Sequence, residues 1–229
     1  MTAVAYSQHL AAQRALTPAE PSLAQSRDEF ARMFGMPVAE DVEVLPADDG
    51  GEWLKTPDAD ERRVLVYVHG GGFFAGSAEV YRALASELGR AAGCVVRSVE
   101  YRLAPEHPYP AAVQDVDAAL SAVLDGGLAP GGVAVSADSA GANLALGAML
   151  RRRDAGATLP AVAHLMSPWV DLGLSGGSID AKADADELLS RDALASLVPL
   201  YAAGCDPCAP GLSPLYADLR GLPPLVIQA

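Results

Sequence analysis

Cysteine is scarce in this chain, with three in 229 residues. An odd, low count leaves no disulfide framework and fits a reducing compartment. Basic residues are also few: Lys and Arg number 16 against 29 Asp and Glu, a formal net charge of −13. A chain this acidic is poorly suited to phosphate backbones or anionic membrane surfaces. No nucleic-acid partner and no membrane insertion are therefore expected, and the charge reads as solubility. No apolar run approaches the length of a membrane span. The N-terminus, MTAVAYSQHLAAQRAL, has no basic leader ahead of an apolar core, so the expected location is the cytoplasm. Internal repeats and low-complexity tracts are lacking too, which excludes solenoids.

Cys205-Asp-Pro-Cys208 has the spacing of half a zinc site. No second cysteine pair or histidine pair accompanies it, so an ordinary loop is expected, with no metal and no cofactor. Against these absences stands a hydrophobic content of 51%, enough to bury a full core in one α/β domain, with room for a small lid.

Residues 1–40 are helix-prone, with Leu23, Phe30, Met33 and Phe34 near one face. Residues 41–229 read as the core. VEVLPA (42–47) and GEWLKT (51–56) flank Asp-Asp-Gly-Gly, a hairpin signal. Then the chain alternates. RVLVYVHG is a buried strand, and Ser77 opens a helix with Val80, Leu84, Leu88 and Ala91 on one side. CVVRSVEY (94–101) is a second strand, and Pro110 starts a helix with Val113, Val116, Leu120 and Leu124 inward. GVAVS (132–136) is a third strand, with a helix to about Arg152, and AVAHLMS (161–167) is a fourth. Residues 171–190 are polar and irregular; a helix carrying Leu194, Leu197, Val198 and Tyr201 follows, and PPLVIQA (223–229) is one last strand. Continuous apolar strands alternating with amphipathic helices predict a mostly parallel sheet covered by helices on both faces. Ligands in such folds sit beyond the carboxyl ends of the strands.

Two of those ends carry chemistry. His69-Gly70-Gly71-Gly72 follows the first parallel strand, and glycines there let backbone N–H groups approach an oxyanion or a phosphate. Ala137-Asp138-Ser139-Ala140-Gly141 follows the third. A serine on that strand–turn–helix projects its Oγ clear of the sheet, with the Ala140 N–H beside it near a helix N-terminus. The bland alternative is a Ser/Asp helix cap; the pairing with the glycine loop is what makes the serine a candidate nucleophile. Phe73 and Phe74 suit either an apolar wall or sheet packing.

HGGGFFAGS, EYRLAPEHPYPAAVQD, SADSAGANLA, SPWVDL and SPLYADLRGLPPLVIQ resemble successive blocks of the hormone-sensitive-lipase-like carboxylesterases. These are α/β-hydrolases acting mostly on short- to medium-chain esters. The resemblance runs from about residue 40 to the end. It implies Ser139 as catalytic nucleophile and an oxyanion hole from the N–H groups of Gly71, Gly72 and Ala140. His69 and Asp138 read as support of the site. A scaffolding role for Arg102, Glu106 and His107 is implied as well, and so is a helical lid segment over the acyl site formed by residues 1–40. Arg102 with Glu106 is expected as an ion pair in a loop stiffened by Pro105, Pro108 and Pro110. Ala137 stands where the family has glycine, and a local adjustment at most is expected there.

The family's acid and histidine lie beyond the strand at 223–228, so the resemblance implies a C-terminally truncated chain that lacks its final strand and helix. The triad's acid and base are then absent, and this chain alone is expected to be a very poor catalyst. Asp154 lies past a helix C-terminus, roughly 20 Å from Ser139 at 1.5 Å per residue. His164 sits inside its strand, roughly 10 Å from the catalytic edge. His69 is better suited to holding the glycine loop, and Asp171 is a remote candidate for a displaced acid. An apolar last strand with an open edge invites pairing, so an oligomer or a C-terminal fragment covering residues 223–229 is expected. Two other readings compete. One is a non-catalytic binder of small molecules on a hydrolase scaffold. The other is a dinucleotide enzyme, with Gly70, Gly72 and Gly76 as the turn and Glu100 on the ribose.

Overall fold

The structure, a computed structural model, describes residues 22–186 and 188–229. Most of the expected lid segment, residues 1–21, lies outside the described residues. Its remainder contains α1 (Leu23–Phe34), opened by a capping box in which the Gln25 N–H donates to Ser22 Oγ and the Ser22 N–H to Gln25 Oε1. That reciprocal pairing satisfies two N–H groups the first turn would otherwise orphan.

Strands β1 (Glu43–Pro46) and β2 (Glu52–Lys55) form the expected hairpin. Then come β3 (Asp60–Val68), α2 (Arg82–Ala92), β4 (Cys94–Val99), α3 (Ala111–Leu124), β5 (Val133–Asp138) and α4 (Ser139–Asp154). Strand β6 (Val162–Met166), the short α5 (Ser178–Ala181), α6 (Arg191–Ala202) and β7 (Leu225–Gln228) complete the order. The seven strands run β1-β2-β4-β3-β5-β6-β7 across one sheet. The pairings of β2 with β1 and β4 are antiparallel, and every other pairing is parallel.

From β3 the chain goes to β4 on one side and then crosses to β5 on the other. The carboxyl ends of β3 and β5 therefore flank the switch point, where loops diverge and leave a crevice. Val64, Val66 and Val68 of β3 and Val133, Val135 and Ala137 of β5 are buried in the main core. Helix α4 is packed on nearly all sides, with 12 of its 16 residues buried. Truncating Leu144 there to alanine would cost about 2–5 kcal/mol, through lost transfer energy and the cavity left behind.

Helix α2 differs from expectation. It begins at Arg82 and not at Ser77, because residues 77–81 form a turn: the Val80 N–H donates to Ser77 Oγ (3.1 Å) and the Ala78 N–H to Glu100 Oε2 (2.7 Å). Its buried face is Ala85, Ser86 and Gly89, while Leu84 is exposed and Leu88 half-buried. The cause is close approach to β4: a Cβ on Gly89 would sit 2.4 Å from Val96 Cγ2. Small residues, not leucines, fit that contact.

Candidate active site

Strand register brings the two chemistry-bearing loops together. Val68 of β3 pairs with Ala137 of β5, so His69 and Asp138 leave the sheet side by side. Ala137 has an ordinary strand conformation and is fully buried, which is why alanine is accommodated where glycine was expected. At the next position the backbone turns hard. Ser139 has φ 50°, in the left-handed region, which costs a non-glycine residue about 1–2 kcal/mol.

The turn is held from several directions. A Cβ on Gly141 would sit 2.3 Å from the carbonyl oxygens of both Val68 and His69, so the first turn of α4 is seated on the end of β3. The Ser139 carbonyl accepts from the Trp169 N–H at 3.1 Å. Asn143, one turn further, donates from Nδ2 to the carbonyls of Trp169 (3.0 Å) and Leu212 (2.8 Å). Ser139 itself stays half-exposed, while Ala140 behind it is buried.

Asp138 ties this turn to the glycine loop. Its Oδ1 accepts from the Tyr67 hydroxyl (2.7 Å) and from the Gly70 N–H (2.9 Å), and its Oδ2 from the Tyr81 hydroxyl (3.2 Å). Burial pushes this carboxyl above the ordinary aspartate value, against the opposing pull of those donors. In the loop, Gly71 has φ 123° and Gly72 φ 59°. A Cβ on Gly71 would fall 2.1 Å from the Ala75 carbonyl oxygen, so no larger residue fits. Phe73 also has a positive φ, 67°. It is fully buried and stacked face to face on Tyr201 at 3.9 Å, an apolar contact that holds the strained turn. Phe73 is thus a packing residue, not a wall of the site.

His69 is a structural residue. Nδ1 lies 2.8 Å from the Gly70 carbonyl oxygen, and since a carbonyl can only accept, Nδ1 carries the proton. The ring is stacked against Tyr101, with centroids 4.2 Å apart. Burial lowers the imidazole to about 4, so it is neutral at physiological pH. The other described histidines are also occupied or remote. His164 is paired in register with Ser136, three residues before Ser139, and its Nδ1 bonds the Ser136 hydroxyl (3.1 Å). His107 is exposed on the proline-rich loop. Among the described residues no histidine is hydrogen-bonded to Ser139. Asp154 terminates α4 at the far end from Ser139.

One sequence expectation is corrected. Arg102 does not pair with Glu106. It forms a bidentate pair with Asp115, at 2.9 and 2.8 Å, at the start of α3. Glu106 instead receives Arg27 of α1, at 2.8 and 2.7 Å. These partners are 79 residues apart, and no local spacing rule reaches that far. Asp171, the remote acid candidate, is spent on its own loop and a neighbour. It accepts from the N–H groups of Gly173 (2.9 Å) and Ser175 (2.7 Å) and from the hydroxyls of Ser175 (2.7 Å) and Tyr216 (3.1 Å). Glu100, the ribose acid of the dinucleotide reading, is occupied by the Ala78 N–H.

Residues that sequence reasoning missed are Arg27, the tyrosines Tyr67, Tyr81 and Tyr101, and Leu197. Leu197 of α6 lies over the glycine loop: a Cβ on Gly72 would meet its Cδ1 at 2.8 Å. Among the described residues, no group of three His, Cys, Asp or Glu side chains is placed to hold a metal, and no helix is long and apolar enough to cross a membrane.

The chain is similar in sequence and in fold to known proteins. Residues 65–229 match the family model described as alpha/beta hydrolase fold. An acetyl-hydrolase of Streptomyces hygroscopicus is 45% identical over 177 residues, covering 77% of this chain and 59% of the relative. This chain thus spans less than two thirds of that relative's length. An esterase of Acinetobacter venetianus is 37% identical over 221 residues, covering 93% of this chain and 72% of the relative. Among solved structures, an esterase from the bacterial hormone-sensitive lipase family superposes with a TM-score of 0.90 at 38% identity, covering 99% of this chain and 78% of that one. A hormone-sensitive lipase from a metagenome library superposes with a TM-score of 0.92 at 34% identity, over 99% of this chain and 77% of that one. With sequence and fold in agreement, the chain belongs to the alpha/beta-hydrolase fold family, in its hormone-sensitive-lipase-like branch.

Proposed function

We propose that the protein hydrolyses carboxylic esters of short to medium acyl length by acyl transfer through Ser139. The observation that carries this reading is the pairing of a non-glycine φ of 50° at Ser139 with the Gly70–Asp138 bond of 2.9 Å that fixes the glycine loop beside it. A pure binding protein has no use for a strained serine clamped to a glycine turn.

In this reading the Ser139 hydroxyl attacks the ester carbonyl carbon and passes its proton to a histidine. The N–H groups of Gly71, Gly72 and Ala140 hold the oxyanion of the tetrahedral intermediate. The alcohol then leaves, taking the proton from that histidine, and water releases the acid from the acyl-serine. None of His69, His107 and His164 is placed for this duty. The reading therefore takes the histidine and its carboxylate from outside the described residues. It also has the outer edge of β7 paired, by a further strand or by a second copy. Val226 and Ile227 there are 53% and 61% exposed, an apolar edge that invites a strand. No cofactor is needed, and the protein works in the cytoplasm.

The test is p-nitrophenyl butyrate turnover by the full gene product, including any sequence after residue 229. Ser139→Ala is expected to lower kcat at least ~10³-fold. Turnover that survives this substitution refutes the assignment. Saturable ester binding without turnover in the wild type would favour the non-catalytic binder, the reading supported by the lack of a described histidine at Ser139.

A further inference from the structure

We propose that Arg27 is a positioning residue for the oxyanion loop, so that α1 acts as a clamp on the catalytic edge and not only as a cover over it. This inference rests on the esterase reading and deepens it. One guanidinium makes four bonds to three separate points of the chain. Its Nε donates to the Phe74 carbonyl (2.7 Å), Nη2 donates to the Ala104 carbonyl (3.0 Å), and Nη1 and Nη2 hold the Glu106 carboxylate. That carboxyl is drawn down to about 2, chiefly by its hydrogen bonds from Arg27, so the pair stays ionised.

The Phe74 contact leads directly to the oxyanion donor. A trans peptide is planar, so fixing its C=O fixes the following N–H in the opposite direction. The Phe74 carbonyl, held by Arg27, shares a plane with the Ala75 N–H, which donates to the Gly71 carbonyl at 2.9 Å. The Gly71 carbonyl shares a plane with the Gly72 N–H, one of the proposed oxyanion donors. Two rigid planes in series thus connect the Arg27 guanidinium to the aim of that N–H. A parallel strut braces the same turn, with the Phe73 carbonyl accepting from the Ala104 N–H at 2.9 Å, and Ala104 is itself bonded to Arg27. Helix α1 has no fully buried residue, and its aromatic contacts reach Tyr81 only at centroid distances above 6 Å, 6.3 Å for Phe30 and 6.4 Å for Phe34. Arg27 ties that helix to the glycine loop and the proline-rich loop through four hydrogen bonds.

The experiment measures kcat, KM and melting temperature for the full gene product with p-nitrophenyl butyrate, well below the melting point of every variant. Arg27→Ala is expected to lower kcat roughly 10-fold with KM within about 2-fold, because a misaimed donor weakens the transition state more than the ground state. Millimolar ethylguanidinium is expected to restore part of that kcat. Arg27→Lys should lose nearly as much, since one ammonium cannot hold both carbonyls and the carboxylate in a fixed fork. Glu106→Gln keeps both carbonyl bonds and should lose less than about 3-fold. A lowered melting point with unchanged kcat in Arg27→Ala overturns the proposal, as does a Glu106→Gln loss equal to that of Arg27→Ala. If Arg27→Ala does not fold, unchanged kcat in Arg27→Lys overturns it as well. Turnover surviving in Ser139→Ala would instead defeat the esterase reading, whatever the Arg27 variants do.

Discussion

Asp138 and Asp171 both follow neighbouring strands at the same edge of the sheet, and they are built in opposite ways. Asp138, at the end of β5, bonds Gly70 and Tyr67, 68 and 71 residues away, and burial raises its carboxyl. Asp171, just past β6, takes three of its four bonds from residues two to four positions ahead. Burial pushes its carboxyl up, but the donors of Ser175, Tyr216 and Gly173 together outweigh that and hold it below the ordinary value. One carboxylate joins two loops that must keep a fixed separation; the other only shapes the loop it sits on. Long-range bonds to a buried acid mark the edge where geometry has to be held, and a locally satisfied acid marks an edge where it does not.

The largest test of that contrast is a matched pair of isosteric substitutions. Asp138→Asn turns an acceptor facing Tyr67, Tyr81 or Gly70 into a donor facing a donor. It is expected to reduce kcat/KM on the order of 100-fold and stability by about 3 kcal/mol, from a buried network left partly unsatisfied. Asp171→Asn should change turnover by less than about 3-fold and stability by about 1 kcal/mol. Comparable losses in both, by steady-state kinetics and urea unfolding, would dissolve the distinction.

A second test uses pH. His69 is buried and neutral, with its value lowered from 6.5 to about 4. Between those values the unfolded chain binds the proton and the folded chain does not. The contribution is therefore complete above pH 6.5 and is lost as pH falls toward 4, by on the order of 3 kcal/mol. In the same fall Asp138, with its raised carboxyl, contributes in the opposite direction and Asp171 contributes little above its ordinary value of 3.8. Replacing His69 by glutamine should flatten the dependence of melting temperature on pH between 6.5 and 4. A slope identical to the wild type would show that the buried edge is not what the acid attacks.

Much of this edge was legible in the sequence. The apolar runs of β3, β4 and β5 have strand length and continuous hydrophobicity, which only a sheet covered on both faces accommodates. The His-Gly-Gly-Gly and Asp-Ser-Ala blocks are contiguous, so their loops could be placed from strand order alone. What was not legible is whatever depends on distant partners. Arg102 and Glu106 are close in sequence and opposite in charge, yet each is taken by a residue from another element, Asp115 and Arg27. The inward face of α2 was misjudged because burial there is set by the closeness of β4, not by hydrophobicity, and Gly89 meets Val96 where a leucine was expected to point. Nothing in the sequence pattern singles out Tyr67 and Tyr81, whose hydroxyls acquire meaning only once Asp138 is placed between them.

The left-handed backbone at Ser139 has a consequence for what selection can do with this protein. Glycine is the residue that φ 50° favours, so Ser139→Gly should melt above Ser139→Ala, by an amount equivalent to about 1 kcal/mol; equal melting points would mean the turn is not strained. A library screened for heat resistance alone would therefore drift toward glycine at this position and discard the hydroxyl on which the proposed chemistry depends. Stability and the proposed chemistry pull on one residue in opposite directions, and any thermostable variant that keeps Ser139 must gain its margin elsewhere in the sheet.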